Sequence, residues 1–359
     1  MKAVYVVKTY DPKTGTPGEV ACLDAPKPEI TAPDDVLIRV AYASLCGSDA
    51  HYIRDNLFPF PAPFPAGHEL SGVIEDLGPE AAATGLRTGD AVTGDFVLGC
   101  GCCEACRRGQ GQFCTRPHVN GAAQAEYIVW KAAQVYRLPP GTDLLEGALF
   151  EPFTIAVGAM DRAELKAGQS VFVLGAGGIG QMLIQLAAQS GASLVGTSVR
   201  TEWKRKLALT MGADYAFNPQ EGPLEEQVRA AAGESGFDVV LEASGNLECA
   251  RQALELVRPG GTVVFLSYYP PGSILPLDLF GDVITKELTL KGMQLAQNSW
   301  ARAMEMFPRM NLRPLISKLY PLEACKEAYQ DLVSGKYLKL VLDCTDQRDR
   351  WVKSGPGQF

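Results

Sequence analysis

The chain has 359 residues, is 47% hydrophobic and carries a formal net charge of −8. That length suits two domains better than a single core. Dispersed acidic charge argues against a nucleic-acid partner, which would call for a basic stripe, and no apolar run approaches the ~20 residues needed to span a bilayer.

Residues 1–7 read as a strand with no small-residue cleavage site, so no signal peptide is read and a cytoplasmic location is expected. Up to about residue 150 the chain looks all-β. Short apolar or alternating runs at 36–40, 70–74 and 125–129 are punctuated by Gly, Pro and Asp, and Thr88-Gly89-Asp90 turns into a strand. Such spacing suggests a barrel or sandwich. Within it, Cys46-Gly47-Ser48-Asp49-Ala50-His51 is answered by Gly67-His68-Glu69, and these two segments hold two of the three histidines in the chain. Thiol, imidazole and carboxylate are the donors zinc takes in tetrahedral geometry. Taken alone, the first segment also reads as a small-residue turn with a buried thiol. The Phe- and Pro-rich run 58–65 reads as a stiff apolar loop delivering Gly67-His68-Glu69, with phenylalanines to wall a substrate cleft, or as a polyproline ligand for a partner.

Five of the ten cysteines lie between residues 100 and 114. In a chain of this kind they call for a use other than disulfides. Cys100, Cys103, Cys106 and Cys114 form a C-x2-C-x2-C-x7-C pattern that can wrap one zinc ion in a closed, structural site. Iron–sulfur ligation is the alternative. Cys102 is left over, and His118 reads as a loop residue without a ligand partner nearby.

From about residue 150 the pattern changes. Residues 144–160 read as a helix interrupted at Pro152, and 170–174 as a buried strand. Gly175-Ala176-Gly177-Gly178-Ile179-Gly180 follows, then a helix at 181–189 and a strand at 193–197. A G-x-G-x-x-G turn in that β-turn-α-β setting points to dinucleotide binding. The glycines permit a tight turn and close backbone approach, and the helix N-terminus offers free N–H groups to a pyrophosphate. Helices at 204–211 and 247–257 and strands at 238–242, 262–266 and 288–290 continue the alternation, a doubly wound parallel sheet from about 155 to 290. Helices at 300–310 and 322–334 and a strand at 338–342, which contains Lys339, complete the pattern.

The residue that reads the adenine ribose is expected ~20 positions past the glycines. No acid stands at 198–200; Arg200, with Ser198 and Lys204, suits a 2′-phosphate and favours NADP. Glu202 keeps NAD open if the register differs by two, and Arg200 can also be read as a solvated loop charge. Ser244 is also expected to bind the cofactor.

The chain as a whole resembles the zinc-dependent medium-chain dehydrogenase/reductase family. The resemblance is carried by Cys46-Gly47-Ser48-Asp49, Gly67-His68-Glu69, the four-cysteine lobe, residues 121–127 before a strand, and the 175–180 turn. It implies an α/β plus β fold. A GroES-like catalytic domain would comprise residues 1–154 and 293–359, with a structural zinc lobe at about 98–116. A Rossmann domain at 155–292 would be inserted between them, with the active site in the cleft.

The resemblance makes Cys46 and His68 ligands of a catalytic zinc, Glu69 a carboxylate ligating directly or through water, and Asp49 the partner that fixes the His68 ring. Glu151 stands where typical alcohol dehydrogenases carry a third ligand, Cys, which resembles the sorbitol and polyol branch; a helix-surface carboxylate is the alternative. Ser48 and His51 resemble the proton relay of the family, although His51 reads equally as a surface histidine. With the four-cysteine lobe, two zinc ions per chain are expected. The activity implied is hydride transfer between NAD(P) and a secondary alcohol or ketone, on a polyol, cyclitol or sugar (phosphate), by a dimer or tetramer. Two alternatives stand beside it: an amino-alcohol dehydrogenase of threonine or aminocyclitol type, and a non-enzymatic zinc- and NADPH-binding redox sensor using Cys102.

Overall fold

Runs rich in Val, Ile and Leu set the strands, and the computed structural model describes residues 1–233 and 235–345. The contacts divide the chain into one unit of Met1–Pro152 with the chain from Ala303 onward, and a second of Phe153–Arg302. The second boundary falls later than the expected 292/293. Gly158 explains this: a Cβ there would lie 2.8 Å from Ala296 and 2.9 Å from Met293, so the segment after 292 packs on the second unit. The part of the expected catalytic domain at 346–359 lies outside the described residues.

The first unit is organised on the strand Asp35–Ser44. Its sheet runs Val135–Arg137, Ala91–Gly94, Glu69–Leu77, Asp35–Ser44, Lys339–Asp343 and Ile316–Pro321, and Tyr127–Lys131 also pairs with the organising strand. Val36, Ile38, Val40, Leu70, Ile74 and Trp130 bury against Tyr329 and Leu342 of the C-terminal segment. The register sets Ser44 opposite Glu69 on one side and Val341 on the other. Three groups of the site thereby meet on neighbouring strands.

The stretch that alone reads as a turn at 46–51 is a helix, Gly47–Arg54. Asp49 caps it by accepting the Cys46 N–H at 3.0 Å, and an acid in the first turn suits the positive end of the helix dipole. The chain leaves the helix through Asn56 at φ +52. The 58–65 run then folds back on the helix: Phe58, Phe60 and Phe64 pack around Tyr52, with centroids 6.2, 6.2 and 5.0 Å away. Phe64–Pro65 pairs with Tyr5 and Val6. That packing fits the stiff apolar loop, while Pro59, Pro61, Pro63 and Pro65 remain exposed. His118 lies in a short strand, His118–Val119, rather than a loop.

In the second unit six parallel strands stand in the order Tyr215–Phe217, Leu194–Ser198, Ser170–Leu174, Phe237–Glu242, Val257–Phe265, Thr289–Gly292. Numbered along the chain this is 3-2-1-4-5-6, the Rossmann order, with its reversal beside the first strand. Strands buried on both faces read as continuous apolar runs, as Val171–Leu174 does. The helix expected to break at Pro152 breaks earlier, into Leu144–Gly147 and Phe150–Ala163. Pro152 sits in the first turn of the latter, where N–H groups have no intrahelical acceptor and a missing one costs little. No helix among the described residues is long and apolar enough to cross a membrane.

Candidate metal centres and cofactor turn

Among the described residues, two groups of metal-binding side chains gather. One ligand atom each of Cys46, His68 and Glu69 lies within 4.8 Å of the others. Cys46 comes from the helix N-cap, Glu69 from the start of the strand Glu69–Leu77, and His68 from the residue just before it. Asp49 stands behind His68, Oδ1 to Nδ1 at 3.8 Å, longer than a hydrogen bond. Its other contacts are the Cys46 N–H and the Gln124 amide at 3.4 Å, and Gln124 in turn accepts from the buried Tyr329 hydroxyl at 3.1 Å. Phe96 covers the His68 ring, centroids 4.5 Å apart.

Glu69 is fully buried and its two oxygens differ. Oε2 accepts from Lys339 Nζ at 2.6 Å and from the Ser44 hydroxyl, while Oε1 has no hydrogen-bond partner. Lys339, also buried, donates to the Leu45 carbonyl at 2.9 Å. Burial works against its ammonium, but Glu69 and Cys46 beside it hold the proton above the ordinary lysine range.

Glu151, at the second position of its helix, is 5% exposed and stands beside the three-residue set rather than within it. Burial pushes its carboxyl well up; His68 opposes this, while Glu69, Cys46 and Asp95 add to it. Burial and then Glu69 push the Cys46 thiol up to about 12, and burial raises Asp49 as well. Buried acids crowd this place beyond what Lys339 and His68 balance. A divalent cation facing Cys46, His68 and the unpartnered Glu69 Oε1 would supply the missing charge, so the donor set fits zinc.

The second group is Cys100, Cys103, Cys106 and Cys114, their sulfurs within 4.8 Å of one another. Backbone N–H groups point at these sulfurs. Cys103 donates to Cys100 Sγ at 3.3 Å, and Cys100 and Arg116 donate to Cys114 Sγ at 3.2 and 3.3 Å. The N–H groups of Cys102 and Cys103 hold the Cys100 thiol down at about 5. A Cβ on Gly99 would meet Cys106 Sγ at 2.9 Å, so any side chain there would displace a sulfur of the group. Backbone N–H groups likewise lower the Cys103 thiol, while burial pushes Cys106 up to about 12; four soft sulfur donors gathered in this way fit a closed zinc site. Exposed Cys102 lies outside the four, with its Sγ 3.3 Å from Arg116 Nη2. His118 is exposed and in neither group.

The cofactor turn is built from Gly175, Gly177, Gly178, Ile179 and Gly180. Gly175 takes φ +93 with Ser244 against it, and a Cβ on Gly180 would fall 1.9 Å from the Gly175 carbonyl oxygen. Gly177 differs: a Cβ there meets nothing within 4 Å. It is the N-cap of the helix Gly178–Gln189 and has no side chain to satisfy the first N–H groups. Open space above bare N–H donors is the cradle a pyrophosphate fills.

Ser198 ends the second strand, buried, with its carbonyl accepting the Gly175 N–H at 3.1 Å. Arg200 is exposed. Buried Lys204 has its pKa lowered by desolvation first and by the Arg200 charge second, so the two cations are neighbours. Glu202 turns to Lys206 at 2.7 Å. Ser244 donates its hydroxyl to the buried Glu242 at 2.5 Å, and Glu242 also accepts from the Tyr269 hydroxyl at 2.5 Å. Ser48 is half-buried at the head of its helix, and His51 is buried rather than superficial.

Sequence reasoning assigned no role to Ser44, Gln124, Tyr329, Glu242 or Lys339. Only Lys339 carried a usable signal, a charge inside the apolar run Leu338-Lys339-Leu340-Val341-Leu342.

Family models match over both units: an alcohol dehydrogenase GroES-like domain at residues 32–140 and a zinc-binding dehydrogenase domain at 178–309. The L-threonine 3-dehydrogenase of Pyrococcus horikoshii is 33% identical over 95% of this chain and 98% of its own length. The chain belongs to the zinc-dependent medium-chain dehydrogenase/reductase family. Within that family, the sorbitol dehydrogenase of Halalkalibacterium halodurans is 31% identical over 89% of this chain and 95% of its own. A candidate zinc-binding dehydrogenase from Sinorhizobium meliloti, solved bound to NADP, superposes with a TM-score of 0.86 at 28% identity, covering 95% of this chain and 98% of that one. The medium-chain dehydrogenase fold is therefore a GroES-like domain with a Rossmann domain inserted in it, and the protein is a zinc-dependent oxidoreductase of the alcohol dehydrogenase type.

Proposed function

We propose that this chain interconverts a secondary alcohol and a ketone on a polyol, cyclitol or sugar-like substrate, with NADP as the preferred cofactor. The observation that carries the reading is the convergence of Cys46, His68 and Glu69, with Glu69 Oε1 buried and unpartnered. Cys46, His68, Glu69 and Glu151 would hold one zinc, and Cys100, Cys103, Cys106 and Cys114 a second. Bound at the first site, zinc supplies Lewis acidity toward the substrate oxygen, and the nicotinamide supplies the hydride acceptor. The chain does the rest. Asp49 braces His68, Lys339 neutralises one edge of Glu69, and Ser48 and His51 lead the hydroxyl proton away.

Arg200 and Lys204, with Ser198, support NADP because their charges lie together and Glu202, the acid between them in sequence, is paired with Lys206. Self-association belongs to the same reading, supported by the exposed apolar residues Ile274, Leu279, Phe280 and Ile284, as does a cytoplasmic location.

A second reading is oxidation of an amino alcohol, supported by the L-threonine 3-dehydrogenase relative at 33% identity. A panel of polyols, sugar phosphates and L-threonine, run with metal analysis, separates them. Two zincs per chain, with turnover lost on chelation and highest on a polyol, is the expected result. Full turnover by zinc-free protein refutes the mechanism, and turnover confined to L-threonine replaces the substrate class. One zinc with no turnover on any alcohol favours the redox-sensor alternative.

A further inference from the structure

The helix Gly47–Arg54 carries a pair of which the reading above uses only one member. His51, 7% exposed, turns Nδ1 to Asp55 at the helix C-cap, with Oδ1 at 2.8 Å and Oδ2 at 3.0 Å. Spacing of four residues stacks the two side chains on one face. Asp55 is itself held: Arg54 Nε donates to Oδ2 at 3.0 Å, and the Leu57 N–H to Oδ1 at 3.2 Å. The Asp55 N–H returns to the His51 carbonyl at 3.3 Å. Phe58 stands edge-on to the imidazole with centroids 5.9 Å apart. The ring is clamped at one nitrogen by a carboxylate and flanked by an apolar ring.

A neutral imidazole has one proton, and the partner of one nitrogen decides the role of the other. We propose that Asp55 is a positioning residue: it holds His51 in the Nδ1–H tautomer, leaving Nε2 as the atom that takes the proton from Ser48, and it stabilises the imidazolium that results. The inference rests on Ser48 and His51 being the relay. The step balances. The substrate carbon gives its hydride to NAD(P)+, and the hydroxyl proton passes through Ser48 to Nε2 and then to water. Ser48, His51 and Asp55 end as they began.

Asp55 keeps its charge throughout, because His51 and Arg54 outweigh its partial burial and hold its carboxyl below the usual range. Other charges are few. Arg54 Nη2 lies 3.3 Å from Nδ1, and residues 56–65 carry no charged side chain. On the helix Cys325–Ser334, which packs on this one, Lys326 is paired with Glu19 and Asp331 with Lys318, and Glu327 is exposed.

The test uses zinc-loaded, full-length protein. With three histidines in the chain, nitrogen-15 NMR can assign His51 by its loss in His51→Gln. The wild type should show the proton on Nδ1, and Asp55→Asn should move it. First-turnover alcohol oxidation by Asp55→Asn should fall by about ten- to a hundred-fold, part of the roughly 10²–10⁴ such a relay contributes, with KM within about two-fold. Asp55→Glu should recover most of that rate. In a His51→Gln background Asp55→Asn should change nothing further. An unmoved tautomer with an unchanged rate, or an equal loss in the His51→Gln background, overturns the proposal. A His51→Gln enzyme at full rate overturns the relay itself. A slow His51→Gln enzyme beside an unimpaired Asp55→Asn enzyme overturns only the role of Asp55.

Discussion

Lys339→Met isolates the energetic centre of the candidate zinc site. Lys339 and Glu69 are both buried and meet at 2.6 Å. Methionine keeps most of the packing of the stem but strands the carboxylate, leaving Ser44 as its one hydrogen-bond donor among the described residues. Removing one partner of a buried pair costs about 3–5 kcal/mol, because the remaining charge stays in low dielectric without compensation. For a domain of about 150–250 residues each kcal/mol moves the melting point by about 2–4 °C, so zinc-free Lys339→Met should melt about 6–20 °C lower than zinc-free wild type. The double variant Glu69→Gln/Lys339→Met removes the stranded charge as well, and a coupling of at least about 2 kcal/mol should appear between the two sites in urea unfolding. A Lys339→Met cost below about 1 kcal/mol, or two costs that simply add, would refute the assignment of Lys339 as the counter-ion of Glu69.

Other outcomes follow from other parts of the chain. Arg200→Asp should shift the ratio of kcat/KM for NADP over NAD toward NAD by about ten- to a hundred-fold, the worth of a charged hydrogen bond; a native enzyme already much better with NAD would end that reasoning. Gly177→Val places a side chain in open space at a helix N-cap, so stability should fall by no more than about 1–2 kcal/mol while cofactor affinity, read by fluorescence titration, falls at least about ten-fold. Unchanged affinity would remove Gly177 from the pyrophosphate cradle. Asp35, in the first unit, tests pH linkage. Burial alone would raise its carboxyl, but Lys131 and the N–H groups of Thr31 and Ala32 bring it down to about 2. A depressed carboxylate stabilises the fold above its unfolded pKa, and that contribution is lost as pH falls through the folded one. Asp35→Asn should therefore cost roughly 2 kcal/mol at neutral pH, a difference that fades between about pH 4 and 2; a cost independent of pH would refute the linkage.

Local chemistry was legible where local spacing suffices. The four lobe cysteines lie within 15 residues of chain, and their short spacings are enough to bring four sulfurs together. The glycine turn was legible because the strand before it and the helix after it are each continuous apolar patterns, and the observed strand Ser170–Leu174 matches the expected one residue for residue. The reading was weaker where small residues hide a helix. Gly47–Arg54 has little apolar periodicity, and its N-cap bond from the Cys46 N–H to Asp49 is a structural feature more than a pattern.

The residues by themselves determined the donors: which thiols, imidazoles and carboxylates exist, and which of them are close enough in sequence to act together. Donor type and short-range reach are properties of a few neighbouring residues, so no tertiary information is needed. Tertiary structure alone decided what balances those donors. Lys339 reaches Glu69 across 270 positions of sequence because Lys339–Asp343 adds to the sheet beside Asp35–Ser44 in one register. Tyr329 reaches Gln124 across 205 positions because its helix packs on that same layer. Strand register and helix docking come from burial summed over the whole core, so the pairing of a buried charge is settled only when the core closes around it.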